Sequence, residues 1–464
     1  MPINSFDNFP MSWKPDKSLM KQPYFTSLAD QLEHDIKNGS LAPGTKLPSQ
    51  RELADYLDLN FTTITRAYNL CKKKGLIYGT TGRGTFVSPH VNESITITGA
   101  DLSPSCIEMG MVSGFEQYNE LVAQATKSVV EKGYLNSLYE YSYPTGHPHQ
   151  LAAAIRWLEQ KGVHVDSNHI AIFSGAQNTL TVALISLFEP GDKIATDEYT
   201  YSNFVELAKL LNIQLVPISG DQNGMRADLL ELQCKQKKIN GIYLMPSCAN
   251  PTTIKISLSR KRELAEVIRR HKLILMEDEI FAFMVTGLKK YETIPLFSLV
   301  PEQTIYISST SKTLCSGIRI AYLAFAENFR EKILHGLFNT NIKTSSLDAE
   351  IITELILNGN AYAIVKKKRE LAAKSGAIFE RYFPECPPPA TPYCFYRWLP
   401  ILNTKPSLHV EKELEQAGIR VYHSDRFIVR NPTDKQFLRV SLSDAGSMSK
   451  LEKGLAILKE YLET

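Results

Sequence analysis

Between Ile170 and Phe325 the chain repeats one pattern: a short apolar run, a polar or glycine-bearing end, then a helical stretch. The runs are Ile170–Phe173, Lys193–Thr196, Gln214–Ile218, Gly241–Met245, Leu273–Met276, Thr304–Ile307 and Ile320–Phe325. Short apolar strands alternating with helices bury both their faces only in an α/β sheet flanked by those helices. In open sheets of this kind ligands bind beyond the carboxyl ends of the strands. Here those ends carry Ser174-Gly175-Ala176-Gln177, Tyr199 and Tyr201, Asn250-Pro251, Asp278-Glu279, and Ser309-Thr310-Ser311-Lys312.

Each of these groups has a plain reading by itself: a helix cap, a packing aromatic, a surface lysine. Taken together in this order they suit an aldehyde cofactor with a phosphate tail. Ser174 to Gln177 open a helix, whose N–H groups and dipole hold an anion. A buried Asp278 carboxylate can keep a pyridine nitrogen protonated, so that the ring withdraws electrons. Asn250 can donate to a phenolic oxygen, and Tyr201 can stack on the ring. Lys312 can form a Schiff base, which requires an amine that loses its proton readily. Arg319, seven residues on, offers a fork for phosphate, and Ser309 a further hydroxyl.

The first ninety residues follow a different pattern. Tyr24 to Lys37 has Phe25, Leu28, Leu32 and Ile36 on one helical face and ends at Asn38-Gly39. LPSQRELADYL announces a second helix, with Ser49 as cap and Glu52 three residues later. A third runs from about Thr62 to Lys74, with Ile64, Ala67, Tyr68 and Cys71 inward and Thr62, Thr63, Thr65, Arg66 and Asn69 outward. Gly75 stops it, and LIYGTTGRGTFV reads as two strands around a glycine-rich turn. Three helices and a basic hairpin predict a winged helix-turn-helix, whose third helix fits a major groove. A small helical protein-binding module is the competing reading of composition alone. The charge excess lies wholly in this segment, a modest footprint for a polyanion that does not decide between the two: from Lys21 to His90 there are nine basic and six acidic residues, whereas the remainder balances at 43 of each.

The string GSLAPGTKLPSQRELADYLDLNFTTITRAYNLCKKKGLI, continued by GRGTFV, resembles the GntR family of regulators over residues 21–89. That resemblance implies DNA contacts from Arg51, Thr62, Thr63, Arg66, Gly82 and Arg83. Phe61 stands where an arginine is frequent. From about residue 105 onward the chain resembles fold type I aminotransferases through YEYSYPTGHPHQLAAAI, FSGAQNTL, PGDKIATDEYTY, PSCANPT, LMEDEIF, SSTSKTLCSGIRIAYL and FLRVSLS. This implies pyridoxal 5'-phosphate on Lys312, with Asp278 at the ring nitrogen and Asn250 at the phenolic oxygen. It also implies that Tyr141 reaches the phosphate of a partner subunit and that Arg439 holds an α-carboxylate. Phe281 stands where the family usually has a tyrosine touching the phenolic oxygen.

The expected organisation is therefore a winged-helix domain at 21–89, a linker at 90–104, and an aminotransferase-like domain at 105–464 with an α+β subdomain from about 340. Joined in this order, the halves resemble the MocR subgroup. The resemblance implies a homodimeric, cytoplasmic transcriptional regulator that binds double-stranded DNA and senses an amino compound through aldimine exchange at Lys312. An active aminotransferase with a fused DNA-binding domain is the alternative, and a cofactor-free DNA-binding scaffold a third. The scattered seven cysteines lack any CxxC pair, which argues against zinc, other metal or a disulfide framework. No run of 18 apolar residues occurs, and the N-terminus lacks a secretory pattern.

Overall fold

The computed structural model describes residues 11–42, 44–74, 76–80, 83–88, 96–97, 106–289, 294–402, 407–429 and 435–463. The chain divides into a small unit comprising 1–96 with 403–412 and 431–434, and a large unit comprising the rest.

In the small unit, helix α1 (Tyr24–Lys37) buries Leu28, Ala29, Leu32 and Ile36. Phe25, expected on the same face, is half-buried beneath the Arg66 guanidinium, 3.9 Å from its ring centroid. Helix α2 (Gln50–Leu57) begins with a complete capping box, in which Ser49 Oγ accepts from Glu52 N and Glu52 accepts from Ser49 N. Asp58 ends it in the left-handed region at φ 49°. Helix α3 (Phe61–Lys73) starts one residue earlier than the periodicity suggests, because Asn60 Oδ1 accepts from Thr62 N at 2.9 Å and caps it. Strands β1 (Ile77–Thr80) and β2 (Gly84–Val87) pair antiparallel, with Ile77 opposite Val87. Trp13 also joins this core, its Nε1 donating to Asp35 Oδ2 at 2.8 Å.

In the large unit, β3 (Ile170–Phe173) leads into helix α4 (Ala176–Leu187), and β4 (Lys193–Asp197) into helix α5 (Ser202–Leu210). Strands β5 (Gln214–Ile218), β6 (Gly241–Leu244), β7 (Ile274–Asp278), β8 (Thr304–Ser309) and β9 (Ala321–Phe325) follow. The seven form one sheet in the order β3-β9-β8-β7-β6-β4-β5, parallel except for β9, which is antiparallel to both neighbours. Helices on its faces leave most of these strands buried throughout, as a mostly parallel sheet requires. Strands β7 and β8 extend two residues beyond the apolar runs, to Asp278 and Ser309. Pairing of Asp278 with Ile307 carries the ladder past the last apolar residue. Beyond the sheet, the long helix α6 (Asn360–Tyr382) precedes a three-stranded antiparallel sheet of β10 (Tyr396–Ile401), β11 (Tyr422–His423) and β12 (Gln436–Ser441), ordered β10-β12-β11.

Candidate functional site

At the carboxyl ends of the parallel strands lies a cavity of about 350 Å³. Its wall includes Ala176, Gln177, Tyr201, Asn250, Asp278, Ser309, Lys312, Arg319 and Arg439, residues far apart in sequence. Lys312 sits in the turn after β8. Burial, with the positive charges of Arg319 and Arg439 behind it, brings its amine down to about 8. About a tenth of it is therefore uncharged at pH 7, the form that can attack a carbonyl. Helix α6 holds this turn in place: the buried Lys368 Nζ donates to the carbonyls of Leu314 at 2.9 Å and Lys312 at 3.3 Å. Space here admits no side chain at Gly114, whose added Cβ would stand 2.9 Å from Lys368 Nζ and 3.0 Å from Lys312 O.

Asp278, the last residue of β7, accepts from the Tyr243 hydroxyl at 2.7 Å. Burial pushes its carboxyl up to about 6, with the Tyr243 hydrogen bond acting in the opposite direction. Tyr243 is fully buried and stacked on Phe204, ring centroids 3.8 Å apart. Its hydroxyl therefore has a fixed aim.

The turn between β3 and α4 forms a cradle. Gly175 adopts φ 86°, and a Cβ there would lie 2.7 Å from Arg319 Nη2, so only glycine lets the guanidinium approach the first turn of α4. Arg319 is itself left-handed at φ 58° and donates through Nη1 to Ser311 Oγ at 2.8 Å. Tyr201, at the head of α5, donates its hydroxyl to Gln177 Oε1 at 3.3 Å, and burial pushes that hydroxyl up to about 12. Ser309 Oγ accepts from Ser311 N at 3.2 Å. Ser174 does not line the cavity; its hydroxyl accepts from Asn341 Nδ2 at 2.8 Å and donates to Thr344 Oγ1 at 3.3 Å. Tyr141 is 79% exposed and lines no part of its own chain's cavity.

Arg439 projects from β12 and is almost fully buried. One Nη donates to Asn250 Oδ1 at 3.0 Å and the other to the Gly110 carbonyl, while its buried Nε has no hydrogen-bond partner. Burial brings the guanidinium down to about 10, so it stays cationic at neutral pH. Phe281 lines the cavity with no hydroxyl to offer. The adjacent Tyr396, its ring centroid 5.4 Å away, directs its own hydroxyl to the carbonyls of Cys248 and Ala249, so it does not replace the missing group.

Two groups escape a reading of strand ends alone: Tyr243 and Lys368. The first carried a signal, since a tyrosine within a fully apolar strand must find a partner for its hydroxyl. Lys368 lies in a run of three lysines that reads as a solvated helix face.

On the small unit, Arg51, Thr62, Arg66 and Arg83 are exposed and Thr63 is half-buried; Gly82, Gly75 and residues 90–104 other than Thr96 and Ile97 lie outside the described residues. Thr65, expected to face outward, instead ties α3 to α2: its hydroxyl meets Gln50 Oε1 at 2.8 Å and Phe61 O at 3.0 Å.

Known proteins divide in the same way. Residues 112–457 match the family of aminotransferase class I and II, and residues 26–87 the bacterial regulatory proteins of the gntR family. The HTH-type transcriptional regulator YdeF of Bacillus subtilis (strain 168) is 36% identical over 464 residues, covering 100% of this chain and 99% of its own. An archaeal alanine:glyoxylate aminotransferase has a TM-score of 0.69 at 21% identity, covering 79% of this chain and 91% of its own. LysN, the α-aminoadipate aminotransferase of Thermus thermophilus, has a TM-score of 0.69 at 19% identity, covering 78% and 92%. These structural likenesses establish the fold. The phosphate cradle, the buried carboxylate and the lysine of lowered basicity fit pyridoxal phosphate, the cofactor of this aminotransferase domain. A gntR-family helix-turn-helix joined in one chain to a class I and II aminotransferase domain places this protein in the MocR-type family of transcriptional regulators.

Proposed function

We propose that the protein is a DNA-binding regulator whose large unit senses an amino acid or amine through pyridoxal phosphate carried on Lys312. The observation that supports this most is the meeting of Lys312 and Arg439 in one cavity, the latter with a buried, unpartnered Nε donor. A carbonyl cofactor held on that lysine would take an amine and the spare guanidinium donor a carboxylate, the two ends common to α-amino acids. Attached through its aldehyde carbon, the cofactor supplies a carbon–nitrogen double bond that a second amine can exchange, and a ring that withdraws electrons. Asp278 would hold the ring nitrogen, with the Tyr243 hydroxyl stabilising the charged form of its carboxylate. Asn250 would meet the phenolic oxygen and Tyr201 the ring. Gly175, Ala176, Gln177, Ser309 and Arg319 would hold the phosphate, with Ser174 shaping the turn from behind. Tyr141, exposed and away from its own cavity, reaches the phosphate of a second copy, giving a homodimer.

Residues 21–89 read the operator, with Arg51, Thr62, Thr63, Arg66, Gly82 and Arg83 toward DNA. Residues 90–104 join them to the effector domain at 105–464, with Ile97 already part of the large unit. Among the described residues no helix is long and apolar enough to cross a membrane. A regulator of this kind works where the DNA is, in the cytoplasm. Arg439 free or engaged by an effector's carboxylate would give the large unit two states with different contacts, which is what allosteric control of DNA binding requires.

The test is a spectral titration of the purified full-length protein with amino acids and amines, alongside operator binding. Spectral change with altered operator affinity supports the sensor. Turnover of an amino acid with an oxo acid at ordinary enzyme rates, without operator preference, would establish the fused aminotransferase instead.

A further inference from the structure

One wall of the cavity comes from a residue that belongs to none of the strand ends. Ile97, the first residue of the large unit, lines the cavity and is 8% exposed. It packs with Tyr422 and Phe427, the rings that flank Arg439 at 5.6 and 4.7 Å from the guanidinium carbon. Its backbone is clasped by a carboxamide 106 positions away: Ile97 N donates to Asn203 Oδ1 at 2.8 Å, and Asn203 Nδ2 donates to Ile97 O at 3.1 Å. Asn203 lies on α5, two residues beyond Tyr201, so the clasp is anchored to the same helix start as the ring-facing tyrosine. A carboxamide that meets both the N–H and the C=O of one residue fixes its position as a strand partner does.

The charged residues of the cavity are already committed: Asp278, Lys312 and Arg319 to the cofactor, Arg439 to a carboxylate. Among the described lining residues, Ile97, Met111, Val112, Ile280 and Phe281 supply much of the apolar remainder. We propose that Ile97, held by the Asn203 clasp, determines which effectors the site accepts, selecting α-amino acids with uncharged, apolar side chains by their length. This rests on the sensor reading above. An apolar wall discriminates by fit, at about fourfold per methylene, whereas a charged side chain placed against it would lose its solvation without a partner.

The experiment is a titration of the cofactor absorbance of the full-length holoprotein with L-alanine and L-norleucine, comparing wild type with Ile97→Ala, Ile97→Phe and Asn203→Ala. Retained cofactor absorbance reports that each variant is folded. The norleucine-to-alanine ratio of dissociation constants should fall about tenfold in Ile97→Ala, rise in Ile97→Phe, and fall by a smaller factor in Asn203→Ala. A ratio within twofold of wild type in both Ile97 variants overturns the proposal while leaving the sensor reading intact. No spectral response to any amino acid or amine in the wild-type protein sinks the sensor reading, and this inference with it.

Discussion

The two working surfaces of this protein are built on opposite principles. Helix α3 displays Thr62 and Arg66 to solvent and buries only the apolar residues behind them. The cavity takes Lys312, Asp278 and Arg439 out of water, at the cost of desolvating three charged groups. An exposed recognition surface changes affinity when altered and leaves the fold alone. A buried site shifts the protonation of its own members, so altering one disturbs the others. The difference follows from the ligands: a polyanion meets charges that keep their hydration until binding, whereas a reactive carbonyl needs an amine already partly stripped of its proton.

The contrast can be broken most directly at Lys312. Lys312→Ala should remove the cofactor's imine absorbance completely while leaving operator binding by the small unit measurable. Borohydride reduction of the wild type, followed by peptide mapping, should place the label on Lys312; a label on Lys161 or Lys368, both buried amines brought down to about 8, would refute the site assignment.

Tyr243→Phe comes next. Its loss takes away the donor that favours the charged form of Asp278, so the carboxyl climbs further above 6 and is partly protonated at pH 7. A hydrogen bond to a charged group is worth roughly 1.5–3 kcal/mol, which corresponds to cofactor binding about ten- to a hundredfold weaker. Unchanged cofactor affinity would mean that Asp278 does not depend on this partner.

The pH dependence sharpens the comparison. The attacking species is the uncharged amine, and the folded protein lowers the Lys312 value to about 8. The initial rate at which cofactor-free protein gains imine absorbance should therefore rise about tenfold per pH unit below 8 and level off above it. A rise continuing to pH 10 would show an ordinary, solvated lysine.

The smallest effects belong to the exposed surface. Arg83→Ala should weaken binding to all DNA sequences and reduce the salt slope by about 0.9. Arg66→Ala should cost about 1–3 kcal/mol at one operator position and relax its preference there. Neither should alter the cofactor absorbance, and a change in that spectrum would show that the two surfaces are not independent.

Much of this was legible beforehand, because local chemistry governs it. The capping box at Ser49, the buried face of α3 and the seven sheet strands each follow from residues close in sequence. The strand-end residues announce themselves because an open sheet brings its carboxyl ends together whatever lies between them. What the local pattern does not carry is the partner of each buried polar group. Tyr243 meets Asp278 across 35 positions, Lys368 meets the Lys312 turn across 56, and Asn203 meets Ile97 across 106. Thr65 faces outward on a helical wheel yet turns to Gln50, since only the packing of α3 on α2 supplies that acceptor. The sequence by itself determined which residues could carry the chemistry, through periodicity, caps and the positions of polar residues after apolar runs. Only the tertiary structure decided how basic, how oriented and how enclosed those residues are, because desolvation and hydrogen-bond pairing depend on what the fold brings alongside them.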